Sequence, residues 1–185
     1  MLDGRECTLY SGAAEGAESE FGRLAEACGI AEVNYTFAGH RIHRTRGVRV
    51  LTDEELALKD VSLTYVSRLM NRVYSRAPMF RKILQSICWQ VASGREIFVV
   101  GNIQEDGTVR GGTGWGAEYA KIRNKPLYVF DQNEDRWFVW TDAGWRPETA
   151  PVVTRRHFTG TGASDIGEAA RSALAGLFER SFKPL

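Results

Sequence analysis

The chain predicts an α/β domain of three layers, a mostly parallel central sheet with helices on both faces. Three observations carry this expectation. Ile97-Phe98-Val99-Val100 and Leu127-Tyr128-Val129-Phe130 are apolar runs, the kind buried on both faces of a parallel sheet. Apolar residues at helical spacing lie between the strand-like runs. Glycine-rich turns stand where strands lead into helices. The 185 residues suffice for one domain with a substantial core, and the chain is read as one domain over residues 1–185.

Residues 6–11 read as a first strand. Ala17, Phe21, Leu24, Ala25 and Cys28 give a helix over 15–28, with Gly29 as its stop. Val33, Tyr35 and Phe37 alternate, so residues 32–37 form the second strand. A basic loop with His40, Arg41, His43, Arg44, Arg46 and Arg49 follows. Thr52 to Glu55 has capping-box spacing and opens a helix. Two helices are expected over 62–76 and 79–93, separated near Pro78. Asp106-Gly107 marks a turn, and Gly114 to Asn124 a short helix. Residues 136–141 extend the sheet, and Trp145 belongs to a small hairpin. Thr159-Gly160-Thr161-Gly162-Ala163-Ser164-Asp165 reads as a small-residue turn before a last helix, capped by Asp165 and Glu168. Lys183-Pro184-Leu185 is a loose tail.

Composition narrows the function. Hydrophobic residues make up 43%, charged residues 25%, and the formal charge is +1, so global charge does not point to nucleic acid. Cys7, Cys28 and Cys88 are widely spaced and form no zinc or redox pattern. His40, His43 and Asp53 lack a clear third ligand position, so no metal and no cofactor are expected. No apolar run reaches membrane-spanning length and no leader is apparent, which makes cytoplasmic the expected location.

Two turns carry the candidate chemistry. Ser11, Gly12 and Gly16 lie where the first strand leaves the sheet, and Gly111, Gly112, Thr113, Gly114 and Trp115 precede a helix. Small residues let backbone N–H groups approach a ligand, and a helix N-terminus favours a phosphate or carboxylate. Trp115 stands where it can stack on a base or shield the turn. Glu118 lies early in the helix, placed to meet a ribose hydroxyl or only to complement the dipole. Arg68, Arg72 and Arg76 share one face of the expected helix, and Arg72 is a candidate for reaching a phosphate. Neither turn matches the dinucleotide fingerprint or a P-loop.

The sequence from Ser11 to Glu18 resembles the S-G-G-A-x-G-[AI]-D opening of the SMF/DprA–LOG (SLOG) superfamily. Gly111 to Glu118 resembles that superfamily's P-G-G-x-G-T-x-x-E turn. Ala13 and Glu18 depart from the first pattern, Arg110 and Trp115 from the second. The resemblance implies a Rossmann-like domain that binds nucleotides or nucleotide-derived ligands, with lysine decarboxylase-like phosphoribohydrolases and molybdenum carriers among its relatives. It further implies phosphate binding by Gly111, Gly112 and Gly114, and catalytic roles for Glu118 and Arg72. It also implies a homo-oligomer.

The leading expectation is therefore binding of a nucleotide or nucleotide-derived ligand, as in a sensor. One alternative is hydrolysis of the N-glycosidic bond of a nucleoside 5'-monophosphate. Another is a single-stranded DNA-binding accessory role through Arg41, Arg44 and Arg46. No membrane partner is expected.

Overall fold

Phe98 and Val100 point to one side of their strand, Ile97 and Val99 to the other. All four are fully buried, in two different clusters. This double burial requires helices on both faces, and the computed structural model, which describes residues 1–184, supplies them. After a 3-10 turn at Gly4–Glu6 come β1 (Thr8–Ser11), α1 (Ala17–Ala27), β2 (Ala31–Phe37) and β3 (Val48–Leu51). Then follow α2 (Asp53–Ala57), α3 (Asp60–Leu69), α4 (Pro78–Ser93), β4 (Ile97–Gly101) and α5 (Gly111–Ile122). The remainder is β5 (Leu127–Asp131), β6 (Arg136–Thr141), β7 (Gly144–Glu148), β8 (His157–Gly162) and α6 (Glu168–Ser181).

Among the described residues, the strands join one sheet in the order β3-β2-β1-β8-β4-β5-β6-β7. β1 to β5 and β8 run parallel, and the β6–β7 hairpin adds an antiparallel end. The fold is a Rossmann-like three-layer α/β architecture. α1 and α6 cover one face, where Phe21, Leu174 and Phe178 meet Leu9, Phe98 and Phe158. α3, α4 and α5 cover the other, where Leu63, Leu84, Val91 and Ala117 meet Ile97, Val99, Leu127 and Val129. Tyr35, Phe37, Leu51 and Leu56 form a smaller cluster beside Trp89.

Local signals set several boundaries. Thr52 and Glu55 form the expected capping box of α2. Pro78 takes the first turn of α4, where its missing N–H is harmless. α3 stops earlier than its sequence suggests, at Leu69, and Asn71 adopts φ 50°. Arg72 and Arg76 thus lie beyond the helix and do not share a helical face with Arg68. Segment 48–51 is the edge strand β3 within what reads as a basic loop.

The largest correction concerns 157–162. The run with Gly160 and Gly162 is a strand, and it occupies the centre of the sheet between β1 and β4. Its glycines answer packing rather than turning. A Cβ on Gly160 would sit 2.4 Å from the Phe21 ring, and one on Gly162 would sit 2.4 Å from the Val100 carbonyl oxygen. Its threonines are satisfied internally, Thr159 donating to the Gln90 carbonyl (2.7 Å) and Thr161 to Glu18 (2.8 Å). The cap of α6 is Gly167, without a side-chain bond, so Asp165 does not cap it. At the C-terminus the Lys183 N–H donates to the Leu2 carbonyl at 2.9 Å, which ties down the expected tail; Leu185 lies outside the described residues.

Candidate functional site

β1 leads through α1 to β2 on one side of the sheet, and β4 leads through α5 to β5 on the other. The chain diverges between them, and β8 fills the gap. Such a divergence leaves a crevice at the carboxyl ends of the strands. A cavity of ≈ 860 Å³ opens there, within the size of small-molecule sites. Ala14, Glu15 and Glu18 line it after β1; Gly101 and Asn102 line it after β4; Gly162 to Asp165 line it after β8.

The first turn of α5 forms another wall, through Arg110, Gly111, Gly112 and Thr113. No side chain caps this helix. The first N–H groups of a helix have no intrahelical acceptor, so this turn offers donors and dipole to an anion. Gly111 holds φ 71°, a conformation that disfavours a side chain. α4 supplies the facing wall. Phe80, Ile83, Ile87 and Gln90 follow one another along one face of the helix, with Ser86 beside them.

The turn after β1 is tightly built. The Ser11 hydroxyl donates to the Gly160 carbonyl at 2.7 Å, within the sheet. Gly12 admits no side chain, since a Cβ would lie 2.4 Å from Gln90 Nε2 and 2.6 Å from Glu18 Oε2. Gly16 holds φ 84° as the cap of α1, and a Cβ would lie 2.3 Å from the Ser164 carbonyl oxygen. Glu18 is the buried acid of the site. It accepts from the Ala14 N–H at 3.0 Å and the Thr161 hydroxyl at 2.8 Å, and the Gln90 amide and Gly12 N–H face it as well. Burial pushes its carboxyl above the ordinary 4.5, against the pull of these donors. His40 completes the rim, its ring stacked on Phe37 with centroids 4.7 Å apart. Burial lowers its proton affinity.

The expected site residues therefore divide. Gly111, Gly112 and Thr113 line the cavity, and Gly12 and Gly16 shape the opposite turn. Gly114 sits beneath the Val109 carbonyl, where a Cβ would be 1.9 Å from the oxygen. Trp115 is buried, its ring 5.8 Å from that of Tyr74. Glu118 lies outside the cavity wall and pairs with Lys121 at 2.5 Å. Lys121 in turn lies 3.7 Å from the Trp140 ring centroid. Arg72 also lies outside the wall. It clamps the segment before α5, donating to the Val109 carbonyl (3.3 Å), Gln104 (2.6 Å) and Thr108 (2.6 Å).

The basic segment is exposed at Arg41, Arg46 and Arg49, but several of its charges are paired with carboxylates. Arg44 reaches the fully buried Glu32 carboxylate at 2.7 Å and Glu26 at 2.9 Å. Arg46 reaches Glu32 at 3.1 Å, and Arg49 pairs with Glu55 at 2.8 Å. Cys7, Cys28 and Cys88 are free thiols. Among the described residues no cluster of three or more His, Cys, Asp or Glu suits a metal ion, and no helix is long and apolar enough to cross a membrane. Glu18 and Gln90 are the site residues sequence reasoning passed over. The signal for Gln90 was a polar side chain continuing the apolar 80-83-87 face. Compared with family models, curated proteins and solved structures, the chain matches none.

Proposed function

We propose that this protein binds a nucleotide or nucleotide-derived ligand, with a phosphate on the first turn of α5 and the base along α4. The observation that carries the reading is the uncapped turn Gly111-Gly112-Thr113, which forms a wall of the 860 Å³ cavity. Phosphate is the chemistry that this turn suits, because donors and dipole act together. Arg110 stands at the same wall. Phe80, Ile83 and Ile87 offer the apolar surface that a planar base needs. The pairing of Glu118 with Lys121 gives no support to a hydrolytic step by Glu118. The pairing of Arg44 and Arg46 with Glu32 likewise gives little support to a nucleic-acid surface.

Gly112→Asp tests the reading. A Cβ at Gly112 meets Leu84, Phe80 and Ile87 only at 3.7 to 3.9 Å, so the fold tolerates it. The new side chain stands between the first turn of α5 and the Phe80 and Ile87 face, inside the proposed site, and its negative charge repels phosphate. Titration calorimetry with nucleoside monophosphates and inorganic phosphate should show binding by the parent. The variant should bind at least about tenfold more weakly with an unchanged melting temperature. Equal affinity in the two proteins would overturn the assignment.

A further inference from the structure

We propose that the outward face of α3 is an interface at which two copies of this chain pair about a two-fold axis. α3 is apolar on opposite faces. Leu63, Val66 and Met70 are buried against side chains of α4 and α5. Val61, Tyr65 and Leu69 recur every four residues on the other side and remain 83%, 55% and 51% exposed. Leu58, just before the helix, is 69% exposed. A helix at the surface of a self-contained domain turns polar residues to water. A contiguous apolar stripe in their place marks an interaction surface.

Three features select a second copy as the occupant. The stripe is self-complementary. Antiparallel pairing centred on Tyr65 sets that ring against its counterpart and Val61 against the other copy's Leu69, the same patch on both sides, as a two-fold interface requires. Tyrosine suits the centre, because a large ring with a polar tip is favoured there. Charge fits the same arrangement. Asp60 stands in the first turn of α3 and Arg68 in the last. α2, which precedes α3, adds the exposed Asp53 and Glu54, while Lys59 is drawn onto the Trp89 ring, 4.3 Å from its centroid. Antiparallel pairing brings each basic end to an acidic one, and it sets each helix terminus beside one of opposite partial charge. Area agrees as well. With the exposed Thr64 and Arg68 at its flanks, the stripe offers on the order of 600 Å² per copy, so a pair hides on the order of 1,200 Å², sufficient for a specific interface of the smaller class.

Sedimentation equilibrium of the full chain from about 1 to 100 μM tests the pairing. At the upper end the parent should approach twice the 20.7 kDa chain mass. Tyr65→Asp places two carboxylates at the axis and should weaken association at least about 100-fold, with an unchanged circular dichroism spectrum. If that variant fails to fold, Val61→Asp makes the same test at a more exposed position. Arg68→Glu sets acid against acid at both ends and should weaken association about threefold to tenfold. Val152→Asp, at an exposed apolar side chain beside the α1 and α6 cluster, should associate like the parent. A parent still monomeric at about 100 μM would overturn the proposal. So would a folded Tyr65→Asp protein that associates like the parent, or equal weakening by Val152→Asp. A monomeric parent that sediments with phosphatidylcholine–phosphatidylserine vesicles, in a manner Tyr65→Asp abolishes, would assign the face to a membrane instead.

Discussion

Replacing Gly160 by alanine pits backbone entropy against packing at the middle of the sheet. An alanine in a strand restricts the unfolded chain and, on that ground alone, should stabilise by about 0.5–1 kcal/mol. The structure predicts the opposite sign. The added Cβ would lie 2.4, 2.5 and 2.9 Å from three atoms of the Phe21 ring, against an ordinary contact of 3.4 Å or more. The ring or the strand must retreat by about 1 Å. Neither is free to do so. Phe21 is fully buried against Phe178, and β8 is bonded to β1 and β4. Overpacking of this kind costs about 1–3 kcal/mol, and a ring closed in on both sides belongs at the upper end. We expect a net loss of about 2 kcal/mol, or about 4–8 °C in melting temperature for a chain of this size. Urea unfolding followed by tryptophan fluorescence measures it. Phe21→Leu provides the cross-check, because a smaller side chain opens the space the methyl needs. The double variant should be more stable than the sum of the single losses implies, by about 1 kcal/mol. A Gly160→Ala protein as stable as the parent, or strict additivity in the cycle, would refute the steric argument.

Three further outcomes follow from the same structure. Glu118→Gln loses an ion pair at the flank of α5 and should leave nucleotide affinity unchanged by calorimetry; a large loss of binding would place Glu118 at the ligand after all. Arg44→Met removes the principal partner of a fully buried carboxylate while Arg46 remains, so chemical denaturation should show a loss of about 3 kcal/mol, partly recovered by adding Glu32→Gln. Burial raises the proton affinity of Glu18, so its contribution to stability is fully present below pH 4.5 and is lost as pH rises through the folded-state value. The stability of the parent minus that of Glu18→Gln should therefore shrink as pH rises above 4.5 in urea titrations; a difference that grows would show that the four donors prevail over burial.

The apolar runs at 97–100 and 127–130 read directly as central strands because burial on both faces leaves no alternation to interpret. The helices after Ala17 and Pro78, and the β6–β7 hairpin, were legible for similar local reasons. β8 was not. Thr-Gly-Thr-Gly is the composition of a turn, and only the Phe21 ring and the Val100 carbonyl, distant in sequence, explain glycine in a strand. β3 was hidden because Arg49, whose side chain lies over the Tyr35 and Trp89 rings, reads as one charge among many. At the site, Gly111 to Thr113 could be found because small residues opening a helix let backbone donors face a cavity. Gly114 and Trp115 share the motif and serve packing, a division that spacing does not encode. Gln90 could not be assigned without Glu18, which approaches it from another element.

The central position of β8 bears on how the chain is made. β1 and β4 do not pair with each other; each pairs with β8, the last strand to be synthesised. While the nascent chain lengthens, the β1–β3 and β4–β7 units can each form, with an open inner edge that accepts another strand. Only after residue 162 has cleared the ribosome can the seam close, and the cavity wall at 162–165 arrives in the same event. Quality control thus has a natural checkpoint. A chain cut short before β8 lacks the cavity wall at 162–165 and presents two unsatisfied strand edges to chaperones and proteases.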